Sequence, residues 1–195
     1  KINIQGYAKI SLNNTFNTGE KINFDFKSQK NQDRSLNSNI IFSYFLGSPF
    51  NLKYSLNLIQ KDSSYTSNEN FVDVELNLNK VKVGIGYQKN RSYSDGQIEF
   101  VENFSSKLYN ISSEYFITDS DDKLISEKLK LLVKYGSGKK IQLNNETSLY
   151  KYKLELVKKF NFSTRFKLQS SIVKEKINSK NLVNNELIRF GGSES

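Results

Sequence analysis

Ile2-Asn3-Ile4-Gln5-Gly6-Tyr7-Ala8-Lys9-Ile10-Ser11-Leu12 alternates without a break. Its even positions are apolar or small, and its odd positions are Asn3, Gln5, Tyr7, Lys9 and Ser11. A period of two gives a strand one apolar and one polar face. The same stencil returns at Ile22/Phe24/Phe26, Leu52/Tyr54/Leu56/Leu58, Val72/Val74/Leu76/Leu78, Val81/Val83/Ile85/Tyr87 and Phe162/Thr164/Phe166/Leu168. A soluble sandwich carries a few such strands. A whole chain of them, long and with strongly polar partners, predicts an all-β, antiparallel transmembrane barrel with lipid outside and water inside.

Composition agrees with that reading. Only 36% of the 195 residues are hydrophobic, and the mean hydropathy is −0.59. A soluble core of this size would be lean on such a supply, whereas the interior of a membrane barrel need not be apolar. No uninterrupted apolar run exceeds three residues, which excludes a transmembrane helix and leaves a barrel open. The length suits one sizeable domain and no linker divides it, so 1–195 reads as a single domain. The chain begins at Lys1 without a signal peptide or initiator methionine, as a mature piece or an excerpt would.

The absence of cysteine removes disulfide frameworks, thiolate metal sites and cysteine nucleophiles. The absence of histidine removes the usual general base and most zinc sites. Twenty-nine basic residues against 20 acidic ones give a net charge of +9. The lysines are scattered singly and form no patch, so nucleic acid is not the expected partner. A basic lumen, and loops facing anionic lipopolysaccharide or peptide, account for the same charge.

About ten strands are expected, over roughly 2–14, 21–29, 35–45, 51–61, 70–78, 81–90, 106–118, 124–135, 141–159 and 162–176. Asn17-Thr18-Gly19-Glu20 reads as a tight turn with Gly19 free to take positive φ. Leu46-Gly47-Ser48-Pro49-Phe50 reads as a second turn, where the missing N–H of Pro49 costs no ladder bond. Asn79-Lys80 reads as a two-residue hairpin, Asp119-Ser120-Asp121-Asp122 as a turn, and Gly136-Ser137-Gly138-Lys139-Lys140 as another. On this reading short turns alternate with mostly longer loops, as in outer-membrane barrels. The apolar phase changes from odd (Ile141, Leu143) to even (Tyr150, Tyr152), which predicts a bulge near Asn144–Ser148. Tyr7, Tyr44, Tyr54, Tyr87, Tyr109 and Tyr115 could serve interface girdles or simply reflect β-propensity.

Candidate chemistry is thin. Gly136-Ser137-Gly138-Lys139 lacks the preceding glycine of a phosphate loop, where Val133 stands, and the following Ser/Thr, where Lys140 stands. The Asp119/Asp121/Asp122 run lacks the glycine and distal glutamate of a calcium loop. Asp73, Glu75 and Glu114 fall on polar faces and read as lumen carboxylates paired with Lys82, Arg165 or Lys167, with Lys9 as a further lumen charge. No catalytic constellation, metal site or cofactor site emerges, so an enzyme is not expected.

Several cues occur together: Ile10-Ser11-Leu12-Asn13-Asn14-Thr15-Phe16-Asn17-Thr18-Gly19-Glu20-Lys21, the Phe45-Leu46-Gly47-Ser48-Pro49 corner, Val83-Gly84-Ile85-Gly86-Tyr87, and the closing Asn185-Glu186-Leu187-Ile188-Arg189-Phe190-Gly191-Gly192-Ser193-Glu194-Ser195. Their order resembles the BamA/TamA-like outer-membrane assembly superfamily, the bacterial surface antigen family, over essentially the whole chain. The Asn-Asn-x-x-x-x-Gly-Glu turn looks like the end of the family's second strand. The Leu-Gly-Ser-Pro corner looks like the turn between its fourth and fifth. The final segment is similar to the approach to its sixth external loop, where a Gly-Gly step precedes an Arg-Gly-Phe motif.

The resemblance implies about ten strands of a roughly sixteen-stranded barrel. The first strand, the last strands, the loop arginine and any POTRA domains lie outside these residues. Phe190, Gly191 and Gly192 are then the stem of a loop folding into the lumen. The implied function is insertion or assembly of proteins in the bacterial outer membrane, by membrane thinning and seam opening, without ATP or cofactor. Implied partners are outer-membrane lipid and lipopolysaccharide, unfolded outer-membrane or secreted client proteins, and accessory lipoproteins. A two-partner secretion translocator is the alternative within the family, and a simple diffusion porin the alternative outside it.

Overall fold

Ten strands follow one another along the chain and pair in that order. In the computed structural model, which describes residues 5–29, 33–61, 65–94, 103–118, 127–142, 145–161 and 167–179, the strands are β1 (Gly6–Asn13), β2 (Glu20–Ser28), β3 (Arg34–Phe42), β4 (Phe50–Lys61), β5 (Tyr65–Leu78), β6 (Val81–Ser94), β7 (Phe104–Thr118), β8 (Glu127–Gln142), β9 (Asn145–Asn161) and β10 (Lys167–Ser179). They form one antiparallel sheet in the order β1 to β10, and β1 does not pair with β10. The protein is therefore all-β and its sheet is open.

The β1–β2 turn follows the sequence closely. Asn14 and Asn17 take positive φ, as does Gly19 at 71°, and Asn14 Oδ1 accepts the Gly19 N–H at 2.9 Å. After β3 a single 3-10 turn, Phe45–Gly47, is entered through Tyr44 at φ 53°. Asn79-Lys80 closes β5 onto β6, with Leu78 facing Val81. The turn expected at Asp119–Asp122 lies outside the described residues. The end of the sheet that carries the β1–β2 turn is called here the Gly19 end, and the opposite end the Ser94 end.

Three expectations are corrected. Gly136–Lys140 is no turn: it lies inside β8, which runs on to Gln142 opposite Asn145. No bulge occurs in the described part of β9, whose register with β8 is unbroken from Leu129↔Lys158 to Gln142↔Asn145; Asn144 lies outside the described residues. Ile141 belongs to β8, so the phase change marks a change of strand. The register shift in the sheet falls instead at Ile117/Thr118 of β7. The alternation of short turns and long loops also fails. Lys61 faces Tyr65 at the Ser94 end, whereas Phe42 and Phe50 bound a longer connection at the Gly19 end.

Burial is inverted relative to a soluble protein. Ile85 and Ile111, paired across β6 and β7, are 66% and 59% exposed. Asn110 and Gln88, on the opposite face of the same strands, are 4% and 9% exposed. Leaving aliphatic side chains in water forfeits roughly 1.5–3 kcal/mol each, so this face requires an apolar medium or partner.

The polar face is concave. β7 and β9 approach within 8 Å (Cα–Cα) across β8, where a flat sheet would hold them at about 9.6 Å, twice the usual strand spacing. Gly138 sits at this bend, between its ladder partners Leu108 and Leu149, both fully buried. A Cβ on Gly138 would lie 1.9 Å from the Lys107 carbonyl oxygen. Only glycine permits so close an approach of β7.

Candidate functional site: the concave polar face

Alternation places one side chain in two on the concave face, and the register decides which of them meet. Lys53 stands directly opposite Asp73, but its ammonium reaches Glu75 at 2.5 Å. Lys82 faces Glu114 and pairs with it at 3.0 Å. Lys130 bridges Glu114 at 3.7 Å and Glu155 at 3.3 Å. Lys153 bridges Glu155 at 3.4 Å and Glu175 at 3.1 Å. From Lys82 to Glu175 these contacts form one chain across β6, β7, β8, β9 and β10.

The curl brings distant strands together. Lys134 on β8 places its ammonium 4.0 Å from the centroid of the Phe71 ring on β5, a cation–π contact. Three strand spacings, about 14 Å in a flat sheet, separate those strands. The small residues between them clear the path. A Cβ on Gly86 would stand 2.8 Å from Asp73 Oδ1, and one on Gly84 2.7 Å from Ser112 Oγ. Beside this contact lies a cleft of ≈ 220 Å³ to which six consecutive strands contribute: Glu69 (β5), Gln88 (β6), Asn110 (β7), Lys134 (β8), Lys151 and Lys153 (β9), and Glu175 (β10). The Gln88 amide donates to Glu69.

Several polar atoms on this face are enclosed and have no hydrogen-bond partner among the described residues: Glu75 Oε2, Asn77 Oδ1, Asn90 Oδ1 and Asn110 Nδ2. In a dry core each would cost about 1–3 kcal/mol. Among the described residues no group of acidic side chains has the arrangement of a metal site. A separate hollow of ≈ 520 Å³ lies at the Gly19 end between the first two turns, lined by apolar Phe42, Tyr44, Phe45 and Leu46 as well as the Asn17–Gly19 turn.

Of the charges singled out from sequence, Asp73, Glu75, Lys82 and Glu114 share the concave face, and Lys82–Glu114 pair directly. Lys9 is exposed opposite Asp25 at the far edge of the sheet. Arg165, Phe190, Gly191 and Gly192 lie outside the described residues, and so does the side chain of Lys167. The partner of Glu75 is Lys53, which sequence reading missed. It also missed Glu69, Lys130, Lys134, Lys153, Glu155 and Glu175. The signal for Glu69 was present: Ser67, Glu69 and Phe71 continue the odd phase of Asp73 and Glu75 into a stretch that reads as a Ser/Asn-rich loop.

The described residues contain no helix long and apolar enough to cross a membrane. No protein-family model matches the chain, and neither does any curated protein or solved structure.

Proposed function

We propose that the sheet is part of the wall of a bacterial outer-membrane β-barrel, and that the protein inserts or assembles other proteins in that membrane. One observation carries the membrane reading: the apolar band on the convex face slants across the hydrogen-bonded rows. One such row runs Leu12, Ile22, Ile40, Tyr54, Val72, Tyr87, Tyr109, Ser137, Tyr150, Asn178. In β2 the apolar run Ile22–Phe26 centres on Phe24, two residues beyond this row toward the Ser94 end. In β10 the apolar run Leu168–Ile172 centres on Ser170, eight residues before Asn178, toward the Gly19 end.

The band thus drifts ten residues (two plus eight) over the eight steps from β2 to β10. At ~3.3 Å per residue and ~4.8 Å between strands, that is a tilt of about 40°. A band level with a membrane requires this of strands inclined at the usual 35–45°. A soluble sheet needs no such drift. The unpartnered polar atoms of the concave face then meet lumen water, and the band width fits as well, since Tyr109–Ile117 of β7 spans nine residues.

The assembly function rests on the ordered motifs of the first turn, the Leu-Gly-Ser-Pro corner and the Gly-Gly terminus. It uses no cofactor; the chain's own contribution is a hydrated, ion-pair-braced wall. A diffusion channel is the second reading, favoured by the charged cleft on the lumen side. Depleting the protein in its host and quantifying other outer-membrane barrels separates the two. Loss of those barrels supports assembly. Unchanged barrels, with steady single-channel conductance of the purified protein, would turn the reading to a channel.

A further inference from the structure

The convex face carries, beside its apolar band, a row of cations of which two meet no carboxylate among the described residues. Lys89 on β6 is the direct ladder partner of Lys107 on β7, and Lys107 of Lys139 on β8. All three share the phase of Tyr87, Tyr109 and Ile141, and so project from the convex face. Like charges directly opposite one another in a sheet are destabilising. Lys139 is relieved by Glu146 at 2.5 Å, but among the described residues neither Lys89 nor Lys107 meets a carboxylate. Arg91, two residues on, is exposed on the same face.

Two features locate this row. It lies one step beyond the Tyr87–Tyr109 pair, whose rings are 5.4 Å apart, and so follows directly on an aromatic border. It also follows the slant of the band. On β3 the basic residue is Arg34, six residues beyond the row through Ile40 and Tyr87; on β10 the basic residues are Lys174 and Lys176, four and two residues short of Asn178. The collar is one-sided: at the Gly19 end, the described strand residues of the convex face include a single basic residue, Lys158.

We propose that Lys89, Arg91, Lys107 and Lys139 form a binding site for the phosphate groups of anionic membrane lipids, at the Ser94-end border of the apolar band. This rests on the membrane reading above. Lipid is the occupant because on three adjacent strands, β6, β7 and β8, the cations adjoin the border of an apolar surface, where headgroups would stand. Lysine binds phosphate as a point charge, and the ~fivefold contribution of each basic side chain near an anionic surface multiplies over the row. The bound phosphates also relieve the Lys89–Lys107 repulsion.

The test folds the whole barrel to which this wall belongs into phosphatidylcholine vesicles containing phosphatidylglycerol and titrates retained phosphatidylglycerol by native mass spectrometry. Lys89→Gln with Lys107→Gln lowers the apparent affinity roughly tenfold or more, while Lys21→Gln on the concave face leaves it unchanged. An inserted barrel without preference for phosphatidylglycerol, or a double variant that keeps it, overturns the site alone. Equal displacement by inorganic phosphate at the same concentration overturns the assignment to lipid. A whole barrel that fails to insert into phosphatidylcholine vesicles overturns the membrane reading, and the site with it.

Discussion

Glu20 is the most constrained side chain of the first turn. Its Oε1 accepts the Phe16 N–H at 2.7 Å, and its Oε2 accepts the Thr18 N–H at 3.2 Å and the Thr18 hydroxyl at 2.7 Å. The bond from Phe16 is the largest cause that lowers the Glu20 pKa, to about 2 from an ordinary 4.5; enclosure opposes it, and the Thr18 hydroxyl adds to it. A carboxylate with a depressed folded pKa contributes stability that is complete above its unfolded value and lost as pH falls toward the folded one. Acid titration of the folded chain is therefore expected to loosen this turn between pH 4.5 and 2. Glu20→Gln should be less stable at neutral pH and should lack that phase; amide exchange at Phe16 and Thr18 across the window measures both. Gly138 is constrained by space instead. With the Lys107 carbonyl where a Cβ would stand, Gly138→Val should cost at least the ~1–3 kcal/mol of ordinary overpacking, read as a lower urea midpoint. Gly6, with nothing near it, should tolerate the same change.

At the scale of the element, the strands were legible where they cross the apolar band and illegible where they leave it. β6 was expected to end near 90 and ends at Ser94; β5 was expected to begin near 70 and begins at Tyr65. Beyond the band both faces of a strand are polar, so alternation vanishes while the backbone ladder continues. Ser67–Asn70 and Gln88–Ser92 then resemble loops by composition although their N–H and C=O groups are paired. The glycines of β8 misled for a related reason. Gly136 and Gly138 are spaced as in a turn, but their role is to let β7 close over β8, a contact between strands that no local pattern reveals. Most of the candidate site was hidden in the same way. Once the ladder is known, the pairing of Lys153 with Glu175 follows from register, and register is not printed in the spacing of either residue. The assignment of 136–140 to a strand has its own consequence. Ser137→Pro would be tolerated in a surface turn. Within β8 it removes a ladder hydrogen bond between two neighbouring strands, so the variant should unfold at a lower urea concentration than the parent chain.

At the scale of the whole molecule, the distribution of charge and apolar surface replaces a core. Few hydrophobic side chains are buried among the described residues; Phe104, Leu108 and Leu149 are, and all three lie on the concave face. Most of the remaining apolar surface faces outward, which explains how a chain of mean hydropathy −0.59 supports so extended a sheet. The consequence is an asymmetry between the two faces. Ile111 lies within the convex band and Asn37 within the concave face. If lipid covers the band, Ile111→Lys should lower the stability of the chain folded in bilayers by up to about 2–4 kcal/mol, the penalty for a basic residue near the midplane. Asn37→Lys, on the concave face of β3 directly opposite Asp25, should cost much less, because its ammonium enters the polar face beside a carboxylate. In a soluble sheet covered by a protein partner the two variants would instead be compared in aqueous buffer, with Ile111→Lys releasing the partner. Equilibrium urea unfolding from phosphatidylcholine vesicles measures the difference directly. Equal losses for the two substitutions would remove the membrane reading, since lipid on one face and water on the other cannot treat them alike.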